Sequence, residues 1–184
     1  MKKILAVLFV LLLVAGYTNA QGKIALGVNA GIALPMGDFG DGYDMGFGGN
    51  ALFAYHVNPN VDVTGSAGYL TWSGKDALDG STFSSIPVMV GARYLFGQGQ
   101  FHPYIGAELG MHFSNFDYEY ELMGVTYSGS ESDSYFGFGA GAGFLYRVGN
   151  NMDLDVNAKF NSISSEGSAS NYVSVMVGLL FGLN

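Results

Sequence analysis

The sequence predicts an all-β protein: an eight-stranded antiparallel transmembrane β-barrel in up-and-down meander order, after an N-terminal signal peptide. Three observations support this fold class. Charged residues are 12% of the chain and aromatic residues 15%, whereas soluble domains carry roughly 25% charge. Apolar residues alternate with small or polar residues in eight segments, as in strands that face lipid on one side. Short and long connections alternate between the segments, which is typical of outer-membrane barrels.

The first residues have the features of a secretory signal peptide. Lys2 and Lys3 precede an apolar run from Ile4 to Val14, which is too short to span a membrane as a helix. A cleavage site follows, so we expect a signal peptide at residues 1–20 and a barrel domain at residues 21–184. The alternative is an uncleaved anchor helix. The chain contains no cysteine, so neither a lipid-anchored cysteine nor a disulfide framework is expected.

The strands are predicted from alternation with a period of two residues and from the residues that interrupt it. Their expected bounds are Lys23–Leu34, Met45–Val57, Val61–Trp72, Phe83–Phe96, Phe101–Ser114, Tyr135–Val148, Met152–Ile163 and Asn171–Asn184. Pro35 is expected to end the first strand. Short turns at 58–60, 97–100 and 149–151 alternate with longer polar loops at 36–44, 73–81, 115–134 and 164–170. Because short turns are periplasmic in such barrels, both mature termini are expected in the periplasm.

The last strand shows the alternation most clearly. Its outward face is expected to carry Val173, Val175, Val177, Leu179, Phe181 and Leu183, and its inward face Tyr172, Ser174, Met176, Gly178, Leu180 and Gly182. The alternative is a soluble, lipocalin-like barrel with the apolar side inward. The many Gly, Asn, Asp and Lys residues at the opposite positions of the other strands argue against it.

The ending of the chain resembles the C-terminal signal by which outer-membrane barrels are recognised for assembly. Gly178, Phe181 and Leu183 occupy its glycine, aromatic and hydrophobic positions, while Met176 departs from its polar first position and Asn184 extends past its end. The resemblance implies that the barrel assembly machinery is a partner.

Four segments carry a wider resemblance: GVNAGIALPMGDFG, IPVMVGARYLF, HPYIGAELGMHF and MVGLLFGL. They resemble small outer-membrane barrels of the OmpA/OmpX type, the single-domain family with porin-like and opacity-like members. The resemblance implies an integral protein of the outer membrane of a Gram-negative cell, in contact with lipid and lipopolysaccharide.

Seven charged residues are expected to point into the lumen: Asp62, Arg93, Glu108, Arg147, Asp153, Asp155 and Lys159. Eight strands leave an interior that side chains can fill, and near balance of charge suits an ion-paired plug. Arg147 should face Asp153 across a turn, and Arg93 could pair with Glu108. The alternative is a selectivity filter or gate, with a narrow path beside the inward glycines of the sixth strand.

The long loops are strongly acidic. Asp117, Glu119, Glu121, Glu131 and Asp133 belong to the loop at 115–134, and Lys75 is the only basic residue of the four loops. This loop could extend the fifth and sixth strands as a hairpin that docks an extracellular protein, or bind divalent cations beside lipopolysaccharide. The alternative is a solvated, self-repelling surface. The formal net charge of −8 disfavours nucleic-acid binding.

The segment His112-Phe113-Ser114-Asn115 resembles the His-x-Ser-Asn segment of lipid A deacylase barrels. That resemblance implies His112 as base and Ser114 as nucleophile. However, the alternation places both side chains inward, away from lipid. No cofactor and no metal site are expected. The sequence therefore favours a non-enzymatic structural or surface-interaction barrel, with a small pore as the first alternative and the deacylase as the second.

Overall fold

The computed structural model describes residues 24–75, 80–97, 99–122, 125–165 and 168–183, with backbone alone at 119–122 and 125–127. The elements are β1 Ile24–Met36, α1 Asp38–Gly42, β2 Gly46–Asn58, β3 Val61–Ser73, β4 Ser81–Leu95, β5 Phe101–Leu122, β6 Val125–Gly149, β7 Met152–Ser165 and β8 Ser168–Leu183. No helix in these ranges is long and apolar enough to cross a membrane. The expected signal peptide lies outside the described residues.

The eight strands form one closed antiparallel barrel in chain order, so the predicted meander is confirmed. Each strand pairs with its neighbours in sequence, and a seam between β1 and β8 closes the ring. This seam pairs Ile24 with Leu183 at one end and Met36 with Asn171 at the other. We call the end of the barrel with the three short turns the turn end and the opposite end the loop end. Ile24 and Leu183 both lie at the turn end.

The two faces of the strands are those predicted. Large apolar side chains such as Val28, Val90 and Phe181 are exposed on the outside, while Ala25 and Leu180 are buried inside. A row of exposed apolar groups requires lipid rather than water around the barrel. The reversed faces of a soluble barrel are therefore not found.

The predicted bounds of three strands, β1, β5 and β6, are wrong. β1 continues through Pro35, which pairs with Tyr172 of β8. On its other side β1 pairs with β2 only as far as Ala33, so a residue without an N–H group is tolerated beyond the end of that ladder. β5 and β6 continue to Leu122 and from Val125 as one long hairpin, whose pairing is unbroken from Phe101 onwards. The region expected as a loop at 115–134 is therefore the hairpin that was considered as its alternative.

The first loop contains a short helix that the sequence analysis did not foresee. The Phe39 ring of α1 is buried at the loop end, with its centroid 5.4 Å from Trp72 and 5.5 Å from Phe83. Lys75 holds the helix from the next loop, since its Nζ donates to the Gly40 carbonyl at 3.0 Å. The loop therefore lies over the lumen instead of extending into solvent.

Candidate functional sites in the lumen and at the loop end

A network of charged and polar side chains fills the lumen towards the turn end. Arg93 Nε donates to Asp62 Oδ2 at 2.7 Å, and Arg93 Nη1 lies 3.9 Å from Asp155 Oδ2. The other oxygen of Asp62 contacts His56 Nδ1, and Tyr104 donates its hydroxyl to Asp155 at 2.7 Å. Asp62, Arg93 and Asp155 are at most 5% exposed. We call these five residues the charged layer; the Arg93 guanidinium lies between two carboxylates, and His56 and Tyr104 each contact one of them, so each buried charge has partners, as a closed lumen requires.

A second ion pair divides the remaining space of the lumen. Lys159 Nζ lies 2.6 Å from Glu108 Oε1. Cavities of about 50 Å³ and 30 Å³ lie in the lumen, and both are lined by Glu108, Lys159 and Asn50. Such volumes hold a few water molecules each. The expected pair between Arg93 and Glu108 is not formed.

The register explains these pairings. Arg93 lies directly opposite Asp62 in the β3–β4 ladder, whereas in the β4–β5 ladder it lies opposite Gly106. A directly opposed partner is closer than a diagonal one. Arg147 and Asp153 are also directly opposed, across the turn between β6 and β7, and their side chains are 3.1 Å apart, as expected.

The inward glycines of β6 make room for side chains from neighbouring strands. A Cβ on Gly143 would lie 2.7 Å from the Tyr104 ring, and one on Gly137 would lie 2.5 Å from His112. The inward side chains of Trp72 and Met89 lie against Gly46 and Gly110 instead. Side chains therefore occupy much of the space that could have formed a path.

His112 and Ser114 lie inside the barrel, where they are 1% and 5% exposed. Ser114 Oγ lies 3.4 Å from Ser85 Oγ, and Ser85 in turn lies 3.2 Å from His112 Nδ1. Ser85 therefore lies between Ser114 and His112. A catalytic triad instead needs direct contact between the serine and the histidine, and a carboxylate beside the histidine. A lipid outside the wall could not reach the Ser114 hydroxyl.

The loop end combines an aromatic cluster with acidic side chains. Phe39, Tyr43, Trp72, Phe83 and Tyr172 pack with ring centroids 5.0–5.8 Å apart; we call them the aromatic cap. On the hairpin Asp117, Glu131 and Asp133 are exposed, while the side chains of Glu119 and Glu121 lie outside the described part. Among the described side chains, no group of three His, Asp or Glu could hold a metal ion.

The residues of the expected assembly signal lie near the turn end of the closing seam. Phe181 and Leu183 are exposed on the lipid face at 42% and 46%. Gly178 faces inward, and a Cβ there would collide with Asn29 of β1. The close approach of β8 to β1 therefore requires a glycine at position 178.

Residues 4–181 match the family described as outer membrane protein beta-barrel domain. The chain belongs to this family. An integral outer-membrane location follows from the membership and from the apolar outer face of the barrel.

Solved structures show the same fold at low sequence identity. Neisserial surface protein A is 21% identical, with a TM-score of 0.64 over 87% of this chain and 97% of that chain. Ail, the attachment invasion locus protein of Yersinia pestis, is 18% identical, with a TM-score of 0.54 over 88% and 100%. A major outer membrane protein from Thermus thermophilus is 14% identical, with a TM-score of 0.53 over 86% and 98%. No curated protein matches the chain by sequence.

Sequence reasoning missed several residues that build these sites. His56, Ser85 and Phe39 were not among the residues expected to form a site. Phe39 could have been found, because it is the one large apolar residue among the glycines and aspartates of residues 37–42. Ser85 left no such signal, since its contacts with His112 and Ser114 depend on the register between β4 and β5.

Proposed function

We propose that this protein is a non-enzymatic outer-membrane barrel whose hairpin of β5 and β6 docks an extracellular protein, while side chains plug its lumen. The observation that carries the proposal is the length of the hairpin. Among the described residues, β6 pairs with β7 only from Phe136 onwards, and the residues from Val125 to Ser134 pair with β5 alone. At about 3.4 Å per residue, this edge, which no other described strand covers, is roughly 30 Å long.

The outer face of the hairpin indicates where the membrane ends. Phe113 and Phe136 are exposed on it at 41% and 50%, as expected against lipid. The next positions are polar: Asn115 Oδ1 accepts hydrogen bonds from Ser130 at 3.0 Å and from Ser132 at 2.6 Å. The free edge therefore stands in water, where its N–H and C=O groups are available to a partner strand.

Charge limits the kind of partner. Among the described residues of the loop end, Asp38, Asp41, Asp44, Asp117, Glu131 and Asp133 are acidic and Lys75 alone is basic. One structure of Yersinia pestis Ail holds the heparin analogue sucrose octasulfate. A polyanion of that kind would be repelled by the acidic loop end of this chain. A partner with a basic surface fits better, and the acidic residues also discourage two copies from pairing edge to edge.

The test shortens the hairpin without touching the barrel. Residues 118–129 are replaced by Asn-Gly, so that the opposed pair Asp117 and Ser130 closes a two-residue turn. A photo-crosslinking residue is placed at Ser132 in both the full-length and the shortened protein on living cells. We expect a defined protein adduct with the full hairpin and its loss with the short one, at equal amounts of folded barrel.

Two results would contradict the proposal. An adduct of equal yield from the shortened protein would show that the partner does not need the free edge of the hairpin. A transport or catalytic activity that survives the shortening would place the function in the lumen.

A further inference from the structure

A pocket of about 320 Å³ opens at the loop end between the first loop and the hairpin. Its walls are four aromatic side chains, each neither fully buried nor fully exposed: Tyr43, Phe83, Phe116 and Tyr135. The buried Ser114 also lines it, and the exposed carboxylates of Glu131 and Asp133 complete it. We call it the loop-end pocket. Its volume lies at the lower end of the range for small-molecule sites.

The strand register builds this pocket from three neighbouring strands. Phe116 of β5 lies opposite Phe83 of β4 on one side and opposite Glu131 of β6 on the other. One step towards the lumen, Ser114 lies opposite Asp133. Because side chains of one strand face share one side of the sheet, these groups all point over the barrel mouth. The pairing of the strands, and not only the conformation of a loop, therefore brings the aromatic and acidic residues together.

The first loop supplies the remaining wall. The Tyr43 ring lies 5.8 Å from the Phe83 ring and 5.0 Å from the Phe39 ring below it. The Tyr43 backbone is fixed as well, because it bridges to Gly74 of the next loop. Phe39 and Trp72 pack against Phe83, so the aromatic cap supports this side of the pocket.

The chemistry of the lining selects a cation with an apolar surface. Aromatic ring faces attract cations, and quaternary ammonium groups are bound by cages of such rings. Neither Glu131 nor Asp133 forms a salt bridge with a described residue, and Asp133 accepts a hydrogen bond from the Tyr135 hydroxyl at 3.3 Å. Lys75, the one cation of the loops, is occupied by the Gly40 carbonyl and by Asp44. Anions are repelled, and a bare metal ion would lack a full set of oxygen ligands.

We propose that the loop-end pocket binds the ammonium group of a small organic cation, with choline as its simplest probe. The aromatic side chains contact the methyl groups, and the two carboxylates attract the positive charge. The site goes beyond the proposed function and does not depend on it, because it uses the inner face of the hairpin and not its free edge.

The experiment titrates choline into the folded full-length barrel. The chain has a single tryptophan, and its ring lies 5.8 Å from the Phe83 wall of the pocket, so Trp72 emission reports occupancy; calorimetry gives the affinity. The protein is held in an alkyl maltoside, because phosphocholine detergents would carry the ligand themselves. The matched ligand is 3,3-dimethylbutan-1-ol, which has the shape of choline without the charge. We expect choline to bind at least tenfold more tightly than the alcohol.

Paired variants separate the pocket from the general field of the loop end. Glu131→Gln with Asp133→Asn should weaken choline binding roughly tenfold, and Phe116→Leu roughly fivefold. The control is Asp38→Asn with Asp41→Asn, which removes the same charge from exposed positions of α1 that do not line the pocket. We expect the control to change the affinity less than twofold at 0.15 M salt.

A third comparison distinguishes the source of the ammonium group. Glycerophosphocholine presents the same cation with a phosphate, as a lipid headgroup would, and we expect it to bind more weakly than choline beside two carboxylates. Tighter binding of glycerophosphocholine would assign the site to headgroups. Equal binding of choline and the neutral alcohol, no binding of choline, or equal losses in the two double variants would overturn the proposal. The hairpin shortened between Asp117 and Ser130 keeps every residue of the pocket, so it should bind choline even if it loses a protein partner.

Discussion

The two halves of the lumen are filled in different ways. Towards the turn end the charged layer holds Asp62, Arg93 and Asp155 in fixed contacts of 2.7–3.9 Å. At the loop end the aromatic cap packs rings at tilted and edge-on angles around Phe39, which is carried by a helix of one turn. The charged layer is held by ion pairs between strands of the barrel wall, whereas the cap is completed by a loop that Phe39 and the Lys75 hydrogen bond hold in place. The comparison teaches that the wall alone fills one half of the lumen, while a connecting loop closes the other.

The largest loss of stability is expected for a substitution in the charged layer. Asp62→Ala removes the carboxylate that contacts both Arg93 and His56, leaving a buried guanidinium with the 3.9 Å contact to Asp155 and the Tyr104 ring. We expect the free energy of unfolding to fall by about 3–5 kcal/mol, measured by urea titration of the barrel in lipid vesicles. Adding Arg93→Met should restore part of the loss. A double variant as unstable as the single one would mean that packing, and not charge, holds this half together.

A smaller effect is expected in the aromatic cap. Phe39→Ala removes a ring that is 7% exposed, which should cost about 1.5–3 kcal/mol and loosen the first loop. Urea titration gives the first quantity, and the rate of proteolysis within residues 37–43 gives the second. Asp38→Ala, on an exposed neighbour, is the matched control. Unchanged proteolysis in the Phe39 variant would show that Lys75 alone holds the loop.

A smaller effect still is expected at the exposed pair of the turn end. Arg147 and Asp153 are in contact at 3.1 Å, but their side chains are 50% and 17% exposed. Solvent screens such a pair, so Asp153→Ala should change the free energy of unfolding by less than about 1 kcal/mol. The same urea titration measures it against Asp62→Ala. A loss equal to that of Asp62→Ala would contradict the division of the lumen into buried and exposed charge.

We expect no ion conductance through the barrel, which is the smallest of these effects. The lumen cavities of about 50 Å³ and 30 Å³ are separated by the Lys159–Glu108 pair, and the two ends are closed by the charged layer and the cap. Single-channel recordings of the folded barrel in a planar bilayer should show no steady conductance, and Glu108→Ala should show none either. A wild-type conductance that changes with Glu108→Ala would support the pore alternative over the plug.

The outward face of every strand could be predicted from sequence, because lipid on one side and a filled lumen on the other impose a strict period of two. The partners inside could not be predicted in the same way. Whether Arg93 meets Asp62 or Glu108 depends on the stagger between strands, which is a property of the whole ring and leaves no mark in one strand. Arg147 and Asp153 were predictable because a short turn fixes their register.

The loop end was the least predictable region for a related reason. The loop at 36–44 was expected to be irregular because of its glycines and aspartates, yet its structure is decided by Phe39 entering a space between Trp72 and Phe83 that only the closed barrel creates. The loop-end pocket arises likewise from Tyr43 and Phe116, which are far apart in the sequence. Acidic composition alone indicated a charged surface and gave no indication of a pocket.

The seam between β1 and β8 has a consequence for the order of events during assembly. It joins Ile24 to Leu183, so the eighth strand of the barrel completes the ladder of the first strand. Until then the sheet has two open edges, whose backbone groups cannot be satisfied in hydrocarbon. Entry into the bilayer core must therefore coincide with closure. A chain that stops within β8 would remain an open sheet at the membrane surface, and would not insert as a smaller barrel.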